Sequence, residues 1–468
     1  MLREPRSTAG ETPALPTIHN CAPETVQRIL TGMSAVVVQH PPGFRARRGL
    51  NWTFIGLLYT SFYTCRYNLT IANKSISDEF GFTKADMGKI ITTALLAYAL
   101  GQIVNGLLTD RLGGKRAMLI GAAGTVVMNA IFGVASFWGL LWFFVLVRGI
   151  DGYFQAFGAP GMIKINAAWF APNERGRFAG IFGFMINAGR ILINNFGPAF
   201  LAGFIFLGLW YVPPLHWRWL FWIPAMFAAV IGVCTAFIAR PTPADAGFDH
   251  DVVQEAHSAD ETRARVRDVF WTIAANPVIW IVALAYACTG SVRQGIDQWF
   301  FRFMQEVHHL DLHDARFKYL GFGIPIVASI GSLVSGYVSD VIFNGRRAPV
   351  ATGCYFLETV IILAAAQFTS ANTAVLFLIL ISFTVNATHS ILGTAAAMDI
   401  GGARMAGFAS GLIDSFQYFG GSLAGLFLGH LLDRSWGWYF YFMAPFGLIG
   451  GTLMLSILGR VTLAKAKR

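Results

Sequence analysis

Apolar residues run through this chain in blocks separated by short polar connections, from residue 49 to residue 459. A helix needs roughly 20 mostly apolar residues to cross a bilayer core. The blocks predict twelve such helices, at about 49–71, 87–109, 115–136, 139–168, 177–207, 217–239, 270–304, 317–342, 349–369, 372–398, 404–432 and 437–459, with Pro160, Pro198, Pro277 and Pro325 interrupting the runs. Residues 1–48 are polar, contain Pro13, Pro16, Pro23, Pro41 and Pro42, and end in the basic cluster Arg45, Arg47 and Arg48. With no signal-peptide apolar stretch, this segment reads as a mostly disordered cytoplasmic arm. The one long polar loop, 240–268, carries Arg240, Asp245, Asp249, Asp251, Glu255, Asp260, Glu261 and Arg263, and reads as a linker. The expected organisation is therefore a tail (1–48), a six-helix bundle (49–239), a cytoplasmic linker (240–268), a second six-helix bundle (269–459) and a tail (460–468).

Composition agrees with an all-α polytopic membrane protein. Of the 468 residues 55% are apolar, 14% aromatic and 13% charged, at a mean hydropathy of +0.54; a soluble domain carries about 25% charged residues. The formal charge of +10 does not point to nucleic acid, because the basic residues sit between apolar runs and not on one patch of a soluble fold. Instead they are sorted. The tails and every second connection hold 22 of the 35 Lys and Arg, against 8 in the other connections, which predicts both termini on the cytoplasmic side. Five remain inside helices: Arg66, Arg148, Lys164, Arg190 and Arg293. A charge at mid-membrane costs several kcal/mol unless paired or facing water, so function is expected among them. The five cysteines are scattered, without metal spacing, and are expected to be structural and reduced.

The chain repeats itself. After helix two it reads Gly106…Asp110-Arg111-Leu-Gly113-Gly114-Lys115-Arg116, and after helix eight Gly336…Asp340…Gly345-Arg346-Arg347, with the aspartates 230 residues apart. Arg177-Phe-Ala179-Gly180 and Arg404-Met-Ala406-Gly407 are 227 apart, and the same offset carries Arg66 on helix one onto Arg293 on helix seven. Two halves packed about an axis normal to the membrane set their first helices across a central cavity. Each guanidinium is a permanently charged fork suited to carboxylate or phosphate. Two facing one site imply a compact anionic ligand, expected to carry two negative charges; the alternative is that each arginine pairs locally or snorkels to an interface.

The connection Gly106…Asp110-Arg111…Gly113…Lys115-Arg116 resembles the signature of the major facilitator superfamily, whose fold is twelve helices in two pseudo-symmetric bundles. It implies a cytoplasmic latch of Asp110, Arg111, Lys115 and Arg116, with Asp340 as the repeat partner. More specifically, from about residue 50 to 455 the chain resembles the organophosphate:phosphate antiporter family of glycerol-3-phosphate and hexose-phosphate exchangers. The likeness rests on Tyr63-Thr-Cys-Arg66-Tyr-Asn68, Arg293-Gln-Gly295-Ile-Asp297-Gln-Trp299, Phe154-Gln155…Gly158…Pro160, Glu174-Arg-Gly176 and Gly411…Tyr418-Phe-Gly420-Gly421-Ser422. The resemblance implies that Arg66 and Arg293 bind a phosphate group. The chain departs from the family at Gln102, where glycerol-phosphate members have a lysine, at Gly189, where they have a histidine, at Tyr67, a basic position, and at Ile413, a lysine in hexose-phosphate members. These departures bear on the substrate.

Other polar residues carry alternatives. Arg148 and Asp151, three apart, are expected to pair, with a proton role left open. Asp297 lies one turn from Arg293 and is expected to orient it. Lys164 either snorkels at the cytoplasmic end of helix four or lines the cavity, and Arg190, near mid-membrane, needs a partner or a ligand. Asp414 could pair with Arg190 or Lys164, protonate as a coupling site, or meet an ammonium on the substrate. Glu358 and Asp399 are expected to make structural pairs or interface contacts, and His389 to line the cavity or pack. A secondary carrier of a phosphorylated or phosphonylated anion, exchanged for inorganic phosphate, is the first function class. A proton-coupled carboxylate carrier and a membrane sensor of sugar phosphate are the alternatives, and no nucleophile, metal spacing or nucleotide loop suggests an enzyme. No cofactor, no metal, no nucleic acid and a monomer in a bacterial inner membrane are expected.

Overall fold

The computed structural model describes residues 40–170, 175–248 and 275–458. The arm 1–39, the linker beyond Phe248, Glu174 and the tail 460–468 lie outside them, as do the side chains of Arg177, Asp399 and Arg404. Contacts divide the chain at Arg45, within the first turn of the first helix, and the unit from Ala46 onward carries the rest of that helix and the other spans. Its helices are α1 (Phe44–Phe80), α2 (Lys84–Leu112), α3 (Gly114–Ala135), α4 (Leu141–Gln155), α5 (Gly158–Trp169), α6 (Arg175–Ala202) and α7 (Trp219–Ile238), then α8 (Pro277–Glu306), α9 (Ala315–Tyr337), α10 (Arg347–Ala365), α11 (Ala371–Ser390), α12 (Ala397–Arg434) and α13 (Trp438–Leu455).

The pattern predicted these spans well and missed local breaks. The fourth span is α4 plus α5, broken at Ala156–Phe157. Pro160 explains the break, because its ring occupies the space that the Ala156 carbonyl would need and it has no N–H to donate there. The fifth ends at Ala202 and not near 207, since Gly203 takes φ +87°. The apolar run beyond it forms a two-stranded antiparallel hairpin, β1 (Phe204–Phe206) and β2 (Trp210–Val212), turning through Leu207 and Gly208. Helix α8 starts at Pro277 with the Asn276 side chain capping the Val278 N–H at 3.0 Å, later than the expected 270. Span ten passes through a π-helical turn, Ile391–Ala396, directly into α12, so the expected connection near 399–403 is helical. Helix α1 continues nine residues past the expected 71.

Helices in a bilayer gain nothing from burying apolar surface against one another, so close approach depends on small residues. A Cβ on Gly420 would lie 1.9 Å from the Ala287 carbonyl and one on Gly290 1.8 Å from that of Gln417, which locks α12 onto α8. Helix α2 packs on α12 and α6 on α9, joining the first six spans to the last six. On the first of these seams a Gly88 Cβ would meet the Gly425 carbonyl at 2.2 Å. Asp433 closes the end of the seam opposite the termini, accepting from the N–H groups of Lys84 (2.7 Å) and Ala85 (2.9 Å). Both are orphan donors at the start of α2. Lys84 Nζ reaches Glu306 at 3.1 Å, and Arg302 donates to Asn73 at 2.9 Å.

Candidate functional site

The site grows from the first helix of each half. On α1, Tyr59, Tyr63 and Tyr67 stand four residues apart and so share a face. On α8, Arg293 and Asp297 do the same. Arg66 and Arg293 are both buried, at 8% exposure each. Between the halves lies a cavity of about 200 Å³. Arg293, His389, Asp414 and Tyr418 line it from the second half, with Ser332 and Asn386; Tyr59, Tyr63, Tyr98, Gln102 and Asn187 line it from the first.

Arg66 does not open into that cavity. It lines a smaller one of about 30 Å³, and the two share Tyr98 and Tyr418 as a wall. Its guanidinium lies 4.3 Å from the centre of the Tyr98 ring and 4.8 Å from that of Tyr63, both cation–π distances. Nη1 donates to the Tyr418 hydroxyl at 3.3 Å and Nε to Gln155 Oε1 at 2.8 Å, while Nη2 has no hydrogen-bond partner among the described residues. Gln155 in turn donates to Asp151 at 2.9 Å, and Asp151 pairs with Arg148 at 2.8 Å as the sequence suggested. Arg148 also holds the Arg66 and Cys65 carbonyls. This chain of charge-assisted bonds fixes the rotamer of Arg66.

Asp297 forms the ion pair with Arg293 that its spacing suggested, and it is also bonded from another span. Arg293 Nε lies 3.7 Å from it, an ion-pair distance but not a hydrogen bond, whereas Arg190 Nη2 donates directly to Oδ1 and Tyr67 donates to Oδ2 at 3.0 Å. Arg190, 2% exposed, is thus bound across the interface to the other half, its plane 5.2 Å from the Tyr67 ring centre. Arg293 keeps His389 beside it at 3.4 Å, and His389 bonds the Tyr286 hydroxyl at 2.5 Å.

Lys164 corrects the cavity-lining option. Its Nζ donates to the carbonyls of Thr109 (3.2 Å) and Asp110 (2.9 Å) and pairs with Asp110 Oδ1 at 3.1 Å. Beyond the Pro160 break it reaches the C-terminus of α2, where free carbonyls attract a cation. Lys115 does the same for α7, donating to Ala236 at 2.6 Å, while Arg111 and Arg116 are exposed. Asp340 pairs with Arg347 at 2.7 Å within the second half. Asp414 makes neither of the pairs considered for it; its Oδ2 accepts from Gln102 Nε2 at 3.1 Å. Glu358, fully buried beside Tyr355 in the apolar core of the second half, has no hydrogen-bond partner for either oxygen among the described residues, so of the two alternatives the structural pair is not formed. Outside the spans, Arg316 hydrogen-bonds Asp314 and holds its carboxyl down at about 2.

The departures from the family have local causes. A Cβ on Gly189 would sit 2.5 Å from the Thr60 carbonyl and 2.6 Å from Tyr63 Cβ, so a histidine has no room there. Ile413 is fully buried in the core of the second half, facing away from the cavity side on which Asp414 stands. Reasoning from charge alone missed the tyrosines of the cavity; the four-residue spacing of Tyr59 and Tyr63 was an available signal for two of them, and Tyr98 and Tyr418 carried none.

The profile of the Major Facilitator Superfamily matches residues 55–425. The chain is 29% identical to the membrane sensor protein UhpC of Escherichia coli over 83% of this chain and 87% of that protein. It is 28% identical to a probable hexose phosphate transport protein of Chlamydia pneumoniae (86% and 89% covered) and 27% to a glycerol-3-phosphate transporter of Bacillus subtilis (81% and 86%). Among solved structures, a bacterial homologue of the human lysosomal transporter Spinster in an inward-facing, occupied conformation superposes with a TM-score of 0.70 at 17% identity, covering 91% of this chain and 98% of that one. These relatives agree with the organophosphate:phosphate antiporter resemblance, and with the family profile spanning most of the sequence, this multi-pass membrane protein belongs to the Major Facilitator Superfamily.

Proposed function

We propose that the protein is a secondary active transporter that exchanges a small organophosphate or phosphonate for inorganic phosphate by alternating access. The observation that carries the reading is the pair Arg66 and Arg293, repeat-related, buried, and separated only by the Tyr98–Tyr418 wall of a cavity between the halves. With the cavity empty, like charges on the two halves oppose their closure around it. A dianion bridging them cancels that repulsion, so the loaded carrier crosses and the empty one does not, which is the requirement for exchange. The phosphate and hexose-phosphate names of the relatives support this substrate class.

In this reading the bundles 49–239 and 269–459 rock as rigid bodies, with both termini in the cytoplasm of a bacterial cell. Asp297 and Arg190 join them on the external side, and Asp110, Arg111, Lys115, Arg116 and Asp340 set the cytoplasmic latch. The carrier works as a monomer.

The test is phosphate flux into liposomes holding the purified protein. Uptake of labelled phosphate or glycerol 3-phosphate should require phosphate inside, and Arg66→Lys and Arg293→Lys should each lower it at least tenfold, because lysine cannot replace a bidentate fork. Uptake at the same rate into phosphate-free liposomes rejects exchange. The match to a sensor protein favours a second reading, and saturable binding without any flux would establish it.

A further inference from the structure

We infer that the cavity binds a zwitterion, a small phosphate or phosphonate carrying an ammonium group, with Arg293 taking the acid end and Asp414 the ammonium. The inference rests on the exchanger reading and names its substrate class.

Charge in the cavity wall carries the argument. Among the described lining residues there is one permanent cation, Arg293, and one carboxylate, Asp414. The other intramembrane cations are committed elsewhere: Arg190 to Asp297, Arg148 to Asp151, Lys164 to the end of α2, and Arg66 behind the tyrosine wall. Asp414 has no ion pair among the described residues. Its hydrogen bonds are neutral ones, from the Tyr286 hydroxyl and from Gln102 of the opposite half, whose amide also donates to the Tyr98 hydroxyl at 3.0 Å. Gln102 thereby fixes the carboxylate without neutralising it. A phosphate alone would meet Arg293 and be repelled by Asp414 in a poorly screened space. A ligand with a cation a few bonds from the acid satisfies both groups and leaves no buried charge unanswered. Tyr98 and Tyr418, beside Asp414 in the wall, present aromatic rings, and the Tyr98 ring already holds one cation, the guanidinium of Arg66.

The probes are matched pairs that differ only by ammonium for methyl: 2-aminoethylphosphonate against propylphosphonate, and phosphoethanolamine against propyl phosphate. Each competes with labelled phosphate for uptake into phosphate-loaded liposomes, and each is also scored by thermal shift on the detergent-solubilised full chain, which needs no turnover. The wild type should prefer the ammonium member at least tenfold. Asp414→Asn should bring that ratio to about one, whatever its absolute rate, and Asp414→Glu should retain part of it. A wild-type ratio near one overturns the inference, even where phosphate exchange is present and the exchanger reading stands. So does an Asp414→Asn protein that keeps the ratio and loses only a pH dependence, which would make Asp414 a proton site. If phosphate flux is absent while the ammonium members still bind preferentially, the exchanger reading fails and the zwitterion site stands.

Discussion

Gln155 shows how one neutral side chain serves two charges: it donates to Asp151 and accepts from Arg66, so the orientation of Arg66 depends on the Arg148–Asp151 pair through a single intervening side chain. The correspondence of Arg66 and Arg293 was legible because an offset of 227 residues is a property of the sequence alone. Their surroundings were not. The i,i+4 rule paired Asp297 with Arg293, and that ion pair is present at 3.7 Å, but Asp297 is hydrogen-bonded by Arg190 from another span, and only packing decides which guanidinium arrives with the better geometry. Glu358 is a different case. A buried polar group left without a partner costs about 1–3 kcal/mol, so Glu358→Met, similar in size and apolar, should raise the thermal unfolding midpoint of the detergent-solubilised protein. A midpoint that falls instead would mean that Glu358 has a partner in another state of the carrier.

At the scale of elements, hydropathy located all twelve spans because each must face lipid along much of its length. Seven helices are long and apolar enough to cross a bilayer by composition alone. The spans that do not reach that standard among the described residues are α1, α4 with α5, α6, α8 and α12, which carry Arg66, Arg148 with Asp151, Arg190, Arg293 with Asp297, and Asp414. Of these, α1 and α8 are long enough and miss the standard through their polar content, whereas α4 and α5 are each too short because the break before Pro160 divides their span. The breaks were less visible: Pro160 split a span while Pro198 and Pro325 sit inside continuous helices, since the outcome depends on how neighbouring helices accommodate the ring. Nor does a glycine announce whether another backbone lies against it. Gly420→Ala must push α12 away from Ala287 and should destabilise the protein by about 1–3 kcal/mol. Gly411→Ala, on the same helix with nothing within 4 Å, should be neutral or stabilise it by about 0.4–1 kcal/mol. Paired thermal melts decide, and equal midpoints would contradict the close packing of α8 and α12.

In the molecule as a whole, the bonds that join the halves run from the cavity to the end opposite the termini, through Gln102–Asp414, Asn187–Ser329, Tyr67 and Arg190 to Asp297, Asn73–Arg302 and the Asp433 cap. On the side of the termini the described ion pairs, Lys164–Asp110 and Arg347–Asp340, stay within one half. The seam is thus fastened on one side. Breaking a buried ion pair costs about 3–5 kcal/mol in the state that contains it, so Asp297→Asn should shift the population toward the state in which this seam is parted. Spin labels at Asp78 and Arg434, exposed and on opposite halves, should report longer separations in the variant; an unchanged distance distribution would show that the pair does not hold the seam. Tyr98 and Tyr418, one ring from each half with centroids 4.3 Å apart, add a thermodynamic asymmetry. In the proposed exchanger, parting the helices that carry these rings unveils Arg66 to an anion already held by Arg293. The cargo then gains its second guanidinium in only one of the two states, and since a ligand shifts an equilibrium only by its difference in affinity, the tyrosine screen is what lets cargo binding perform work on the carrier.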